Sequence, residues 1–258
     1  MSTAEPALSV LILSEDKANN SFDTVLGLTR TALRLVDPAH DPRRIRFEPL
    51  ADEGLRRLIW GNGWKSQQRE DRKRIVDVVR RIAGTINEQR PGFVVFHVDG
   101  DQAWSDPRTC ENQVQFEALV MRRVRKLLEA SGGKRTLGPR PLHRIERLFL
   151  FMPYYSIEAW TYQNTVEAKR ILHAEHYGQY IYRFDEWEAH RERLDEVLKP
   201  KAEIPKFEDR YNHRLASSGY PADAVYGVGK SFAALVDTMR RCEDLCAALT
   251  ATRPPIRG

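Results

Sequence analysis

The sequence predicts an α/β fold: a mostly parallel central sheet, helices on both of its faces and a C-terminal helical extension. Three observations predict it. Short β-rich apolar runs alternate with longer amphipathic segments in the order β-α-β-α-β-α-β-α, the order of a parallel sheet with covering helices. The runs are apolar along most of their length, as buried strands are. Acidic residues stand just after several of these runs, where an open parallel sheet gathers its functional loops.

Leu8 to Leu13 reads as the first strand, ended by the polar turn Ser14-Glu15-Asp16-Lys17. A helix follows, capped by Asn20 or Ser21, with Phe22, Val25, Leu26, Thr29, Ala32 and Leu33 as its apolar stripe and Asp37-Pro38 as its stop. Ile45 to Leu50 alternates like a short strand, and Pro49 places it at an edge. Residues 54–65 form a loop or short helix. From Gln67 to Gln89 a charged helix turns Ile75, Val78, Val79, Ile82 and Ile86 inward, and Pro91 ends it. A strand then runs to Val98, followed by a polar loop from Asp101 to Arg108. A helix from about Glu111 to Ala130 presents Phe116, Leu119, Val120, Val124, Leu127 and Leu128 on one face, and Ser131-Gly132-Gly133-Lys134 breaks it. Arg147 to Met152 is a further buried strand, ending at Pro153-Tyr154-Tyr155, and Ile157 to Trp160 begins the next helix.

Beyond Tyr177 the texture changes. An aromatic, charged segment from Tyr180 to Trp187 leads to a charged helix ending near Lys199, a linker around Pro200 to Pro205, a last helix from Ser231 to Ala251, and a frayed Pro254-Pro255 tail. The expected division is an α/β domain at 1–178 and a helical extension packed on it at 179–258.

Composition narrows the function classes. With 258 residues, 41% hydrophobic and 30% charged, the chain is too apolar for general disorder and too charged for a membrane protein. No apolar run approaches the roughly 20 residues that span a bilayer. Residues 1–6 lack the basic start and long apolar core of a signal peptide, so a cytoplasmic location is expected. Three cysteines give no disulfide framework, and Cys242 and Cys246 stand at helical i,i+4 spacing. The net charge of +5 favours a polyanionic partner. Basic residues cluster at Arg43 to Arg46, Arg69 to Arg81, Arg122 to Lys126 and Lys134 to Arg147.

The chemistry concentrates in Gly92-Phe93-Val94-Val95-Phe96-His97-Val98-Asp99-Gly100-Asp101. Alternate residues of a strand point to opposite faces, and a turn at Gly100 relaxes that rule and lets Asp99 and Asp101 converge. Paired carboxylates on a tight turn suit a hard divalent cation, which takes few of them and keeps water for a phosphate substrate. Glu15 follows the first strand and Glu158 the strand at 147–152, so four carboxylates stand at three strand ends and repel one another unless a cation lies between them. His97 reads as a core or sheet-face histidine, and His173 with His176 as a surface pair. Gly-x-Ser-x-Gly, Gly-x-Gly-x-x-Gly and Walker A motifs are absent; Gly227-Val228-Gly229-Lys230-Ser231 ends in Gly-Lys-Ser without the first glycine at the required distance.

A Glu after the first strand and Asp-x-Asp after a later one resembles the TOPRIM fold of topoisomerases, primases and OLD-family nucleases, over about residues 8–160. Tyr155-Ser156-Ile157-Glu158-Ala159-Trp160 and Gly229-Lys230-Ser231-Phe232 are similar to short motifs of small TOPRIM-like proteins of bacterial mobile-element and defence loci. A small residue usually follows the TOPRIM glutamate; here Asp16 does, which leaves Asp16 as a substitute for Glu15. The resemblance implies phosphodiester hydrolysis in DNA or RNA with Mg²⁺ or Mn²⁺ held by Asp99 and Asp101. Glu15 would be a general acid/base or second ligand, and Glu158 would complete the metal shell. Lys230, or an arginine of the 122–126 cluster, would offset transition-state charge. It also implies a defence effector activated by a partner ATPase. The rival expectation is a non-catalytic binding or regulatory subunit of such a complex.

Overall fold

The computed structural model describes residues 5–15, 20–101, 110–132, 141–197, 199–205 and 207–254. Their strands form one four-stranded parallel sheet from β1 (Leu8–Ser14), β2 (Ile45–Pro49), β3 (Gly92–His97) and β4 (Leu148–Phe151), in the order β2-β1-β3-β4. The fold is the α/β architecture read from the sequence, and it is consistent with a TOPRIM-like arrangement. After β1 the chain crosses to one side to make β2 and then to the other to make β3. The β1/β3 boundary is therefore the topological switch point, the place where open α/β sheets bind ligands.

Strand periodicity divides the interior. Leu8, Val10 and Ile12 of β1 enter one core with Phe93 and Val95 of β3, whereas Leu11 and Leu13 enter the opposite core with Val94 and Phe96. Each fully buried side chain of this size contributes about 1.5–3 kcal/mol, which fixes strand register firmly. The first face is covered by α1 (Ser21–Val36), and the second by α2 (Glu53–Ile59) and α3 (Arg69–Ile86). On the second face α4 (Glu111–Phe116) continues through a π-helical turn at Glu117–Met121 into α5 (Arg122–Gly132), burying Phe116, Val120, Val124 and Leu128.

After β4 come α6 (Glu158–Thr161), α7 (Thr165–Ala174), α8 (Ile181–Ala189), α9 (Asn212–Ser217), α10 (Ala222–Gly227), α11 (Ser231–Arg241) and α12 (Glu243–Thr250). Tyr162, Phe184, Trp187, Phe207 and Leu215 make a third core of their own, which accounts for much of the aromatic texture of this region. Val225, Phe232, Val236, Leu245 and Leu249 instead join α1 in the core on the first face of the sheet.

Three local expectations are corrected. The single helix expected over 231–251 is two, because Cys242 is extended (φ −77°, ψ 98°) and buried, and the bend lets Leu245 and Leu249 reach the sheet's core. The α-helix lies over the aromatic segment, ending at Ala189, and in place of the charged helix expected after it a 3₁₀ turn at Arg191–Asp195 draws Leu194 and Asp195 inside, tertiary burial overriding helix propensity. Asn20 stands at the N-cap of α1 but does not cap with its side chain, which donates to the Arg210 carbonyl instead. Among the described residues no helix is long and apolar enough to cross a membrane.

Candidate active site

The acid-bearing loops are held by an extension of sheet pairing past the strand ends. Val98 N–H donates to the Phe151 carbonyl (3.1 Å), Gly100 N–H to Pro153 (2.9 Å) and Asp101 N–H to Tyr155 (3.2 Å). The turn is not made in the way the sequence implies. The left-handed residue is Asp101 (φ 54°), a conformation aspartate tolerates better than most residues. Gly100 serves close approach instead: a Cβ there would stand 2.1 Å from the Tyr154 carbonyl oxygen and 2.7 Å from that of Pro153.

Glu15 and Asp99 meet across the switch point, where Asp99 N–H donates to Glu15 Oε2 at 3.1 Å. Asp99 Oδ1 accepts from Ile157 N–H at 3.0 Å, tying β3 to the start of α6. Asn112, at the start of α4, donates to the Asp99 carbonyl (2.6 Å) and to Asp101 Oδ2 (3.3 Å). Lys65 Nζ donates to Asn112 Oδ1 at 2.6 Å and so braces the same turn from the other side. His97 is fully buried, with Nδ1 3.3 Å from Ser14 Oγ and Nε2 3.4 Å from Asp99 Oδ1. It is thus a core histidine, as expected, and also an anchor for the site's first aspartate.

Burial sets the electrostatics. It pushes the Glu15 carboxyl up from 4.5 to about 7, opposed by His97 and reinforced by the Asp99 charge. Glu158 is also raised, chiefly by burial; it is only 8% exposed, and its Oε1 accepts from Asn212 Nδ2 at 2.9 Å. Asp99 keeps 24% of its side chain exposed. A cavity of about 480 Å³ opens in front of these groups, lined by Asp99, Asp101, Tyr155, Glu158, Lys199 and Lys201 among others.

The structure therefore brings Asp99, Asp101 and Glu158 to one cavity, with Glu15 hydrogen-bonded to the backbone of Asp99 behind them. Asp16 lies outside the described residues, as do residues 133–140 of the basic loop and residues 102–109 after the Asp-x-Asp turn. Lys230 does not line this cavity; its Nζ pairs with Glu196 at 3.1 Å. Arg122 to Lys126 recede from the site, since they follow Asn112 by ten or more helical residues, about 15–20 Å along the axis. Tyr155 opens the motif Tyr155 to Trp160, whereas Asn112, Lys65 and Lys199 were not singled out by sequence reasoning. Their only signal was Asn112 directly after the Asp-x-Asp loop at a helix start.

The donor set can be compared with what a divalent cation needs. Among the described residues no three His, Cys, Asp or Glu side chains are gathered closely enough to form a complete metal site. Mg²⁺ asks for less: one or two carboxylates, with water and substrate oxygens for the rest. Asp99 and Asp101 on one cavity wall, with Glu15 adjacent, fit that requirement. No protein-family model, curated protein or solved structure matches this chain.

Proposed function

We propose that the chain is a metal-dependent nuclease that hydrolyses phosphodiester bonds at the β1/β3 switch point. The observation that carries the reading is the meeting of Glu15 and Asp99 there, with Asp101 on the same turn and burial raising Glu15 to about 7. Asp99 and Asp101 would hold Mg²⁺ or Mn²⁺. A bound cation of this kind supplies positive charge for the scissile phosphate and a more acidic water. Glu15, hydrogen-bonded to the backbone of Asp99, is placed to take a proton from the attacking water or return one to the leaving oxygen. Asn112 and Lys65 hold the turn so that both aspartates keep their aim, and Glu158 is held in the cavity wall by Asn212. The +5 charge supports a nucleic-acid substrate, and the resemblance to defence-locus proteins supports an effector role in the cytoplasm under a partner ATPase.

Asp99→Asn tests the reading. Asparagine Oδ1 can still accept from Ile157 N–H, so circular dichroism and the melting midpoint stay near wild type. Cleavage of DNA or RNA in Mg²⁺ or Mn²⁺ falls by on the order of a hundredfold or more. Cleavage that persists in the folded variant contradicts the proposal.

A second reading is favoured by one observation: Asp99 Oδ1 is engaged by Ile157 N–H and faces His97, which is what a structural acid does. On that reading the chain is a non-catalytic, TOPRIM-like regulatory or binding subunit. Wild-type protein that binds its partner but cleaves nothing in any divalent metal would select it.

A further inference from the structure

The cavity before Asp99 and Asp101 has a wall that the hydrolytic mechanism does not use. It is the turn that opens the 3₁₀ segment Pro200–Glu203, and it brings Lys199 and Lys201 into the lining of the same cavity as the acids. The two lysines differ. Lys201 is committed to Asp209, with its Nζ 2.6 Å from Oδ1. Lys199 is exposed and has no ion-pair partner among the described residues. Its backbone is left-handed (φ 56°, ψ 70°), a conformation that a residue with a Cβ adopts at a cost and that concentrates at functional sites. An anion that approaches Asp99, Asp101 and Glu158 meets three carboxyl groups, so a cation in the same cavity is what would let a phosphate enter. Tyr155 lines the same space, offering a ring on which a base can stack.

Size and depth narrow the ligand. About 480 Å³ lies in the range of roughly 300–1,000 Å³ typical of small-ligand sites, room for a nucleotide unit but not for a double helix. Asp99 is recessed, with 24% of its side chain exposed. A phosphodiester reaches a recessed group easily when its strand is unpaired, and from a duplex only by unstacking its neighbours. We infer that this cavity takes single-stranded nucleic acid, with Lys199 gripping the phosphate and Tyr155 stacking on a base; the inference rests on the phosphodiester reading above.

The test uses the full chain with Ca²⁺ in place of Mg²⁺, and fluorescence anisotropy of a labelled oligothymidylate and of a hairpin duplex of equal length. The single strand binds at least about tenfold more tightly than the duplex. Lys199→Gln weakens that binding and reduces the slope of log K against log salt by about 0.7, one phosphate contact on a single strand. Lys199→Arg restores both. Lys199→Gly, which relieves the left-handed backbone, keeps the melting midpoint at or above wild type while binding still weakens. Equal affinity for duplex, or an unchanged slope in Lys199→Gln, overturns the inference. Cleavage of the same oligonucleotide in Mn²⁺ is read separately: cleavage that persists in folded Asp99→Asn overturns the hydrolytic reading, whereas binding that ignores Lys199 overturns this one.

Discussion

Two glutamates follow strands of this sheet, and their surroundings differ. Glu15, at the end of β1, is half-buried at the switch point, and its hydrogen bond comes from the backbone of another acid. Glu158, after β4, is 8% exposed and turned onto Asn212 in the interior. Burial raises both carboxyls. Both feel the Asp99 charge; what separates them is that Glu15 accepts from the Asp99 backbone where the chain's crossovers diverge, while Glu158 accepts from the neutral Asn212 side chain. A strand-end position supplies a polar residue; the switch point supplies a reason for it to meet a second one.

Substituting the two glutamates tests that contrast. Glu15→Gln should lower cleavage by on the order of 10²–10⁴, the range of a lost general acid or base. It should also change how stability depends on pH. Because the folded state holds the Glu15 proton up to about pH 7 against 4.5 in the free residue, its contribution is complete below about 4.5 and is lost as pH rises toward 7. The variant, which cannot ionise, should therefore match wild type at low pH and exceed it above pH 7, by roughly 3 kcal/mol for a shift of this size. Urea melts at pH 4.5 and pH 8 measure the gap, and a gap of zero or of opposite sign removes the burial argument.

Glu158→Gln should do less. Glutamine keeps an oxygen to accept from Asn212, so cleavage changes by less than about tenfold and the fold is retained. A loss as large as that of Glu15→Gln would place Glu158 among the reacting groups and erase the distinction. The smallest effect is expected on α5. Arg123→Ala with Lys126→Ala should leave the salt dependence of nucleic-acid binding within experimental error, since that helix leads away from the cavity; a slope lowered by about one unit or more would bring it back to the binding surface.

The layout of the sheet was legible because its signals are local: apolar runs, helix stripes at a 3.6 period, and Pro49 at an edge. Asp99 and Asp101 were legible for the same reason, both lying in one short segment. Glu15 and Glu158 were legible as strand-end acids, but the residues that brace the turn were not, because they depend on contacts across long stretches of chain: Lys65 meets Asn112 47 positions away. Lys199 reaches the cavity through a left-handed turn that no periodicity announces. Lys230 is the converse case: the resemblance of Gly229 to Phe232 pointed to it, while in space it pairs with Glu196. Likewise the helix expected to run through Cys242 bends there because the buried cysteine is extended, something i,i+4 spacing cannot reveal.

The central claim is that Asp99 and Asp101, beside Glu15, take a hard divalent cation. Titration of Mn²⁺ into the full chain, followed by calorimetry and by paramagnetic broadening of nearby resonances, tests it without relying on activity. The account predicts a site in wild type that disappears in Asp99→Asn with Asp101→Asn while cooperative unfolding is retained. Mn²⁺ binding that is unchanged in the folded double variant would contradict it.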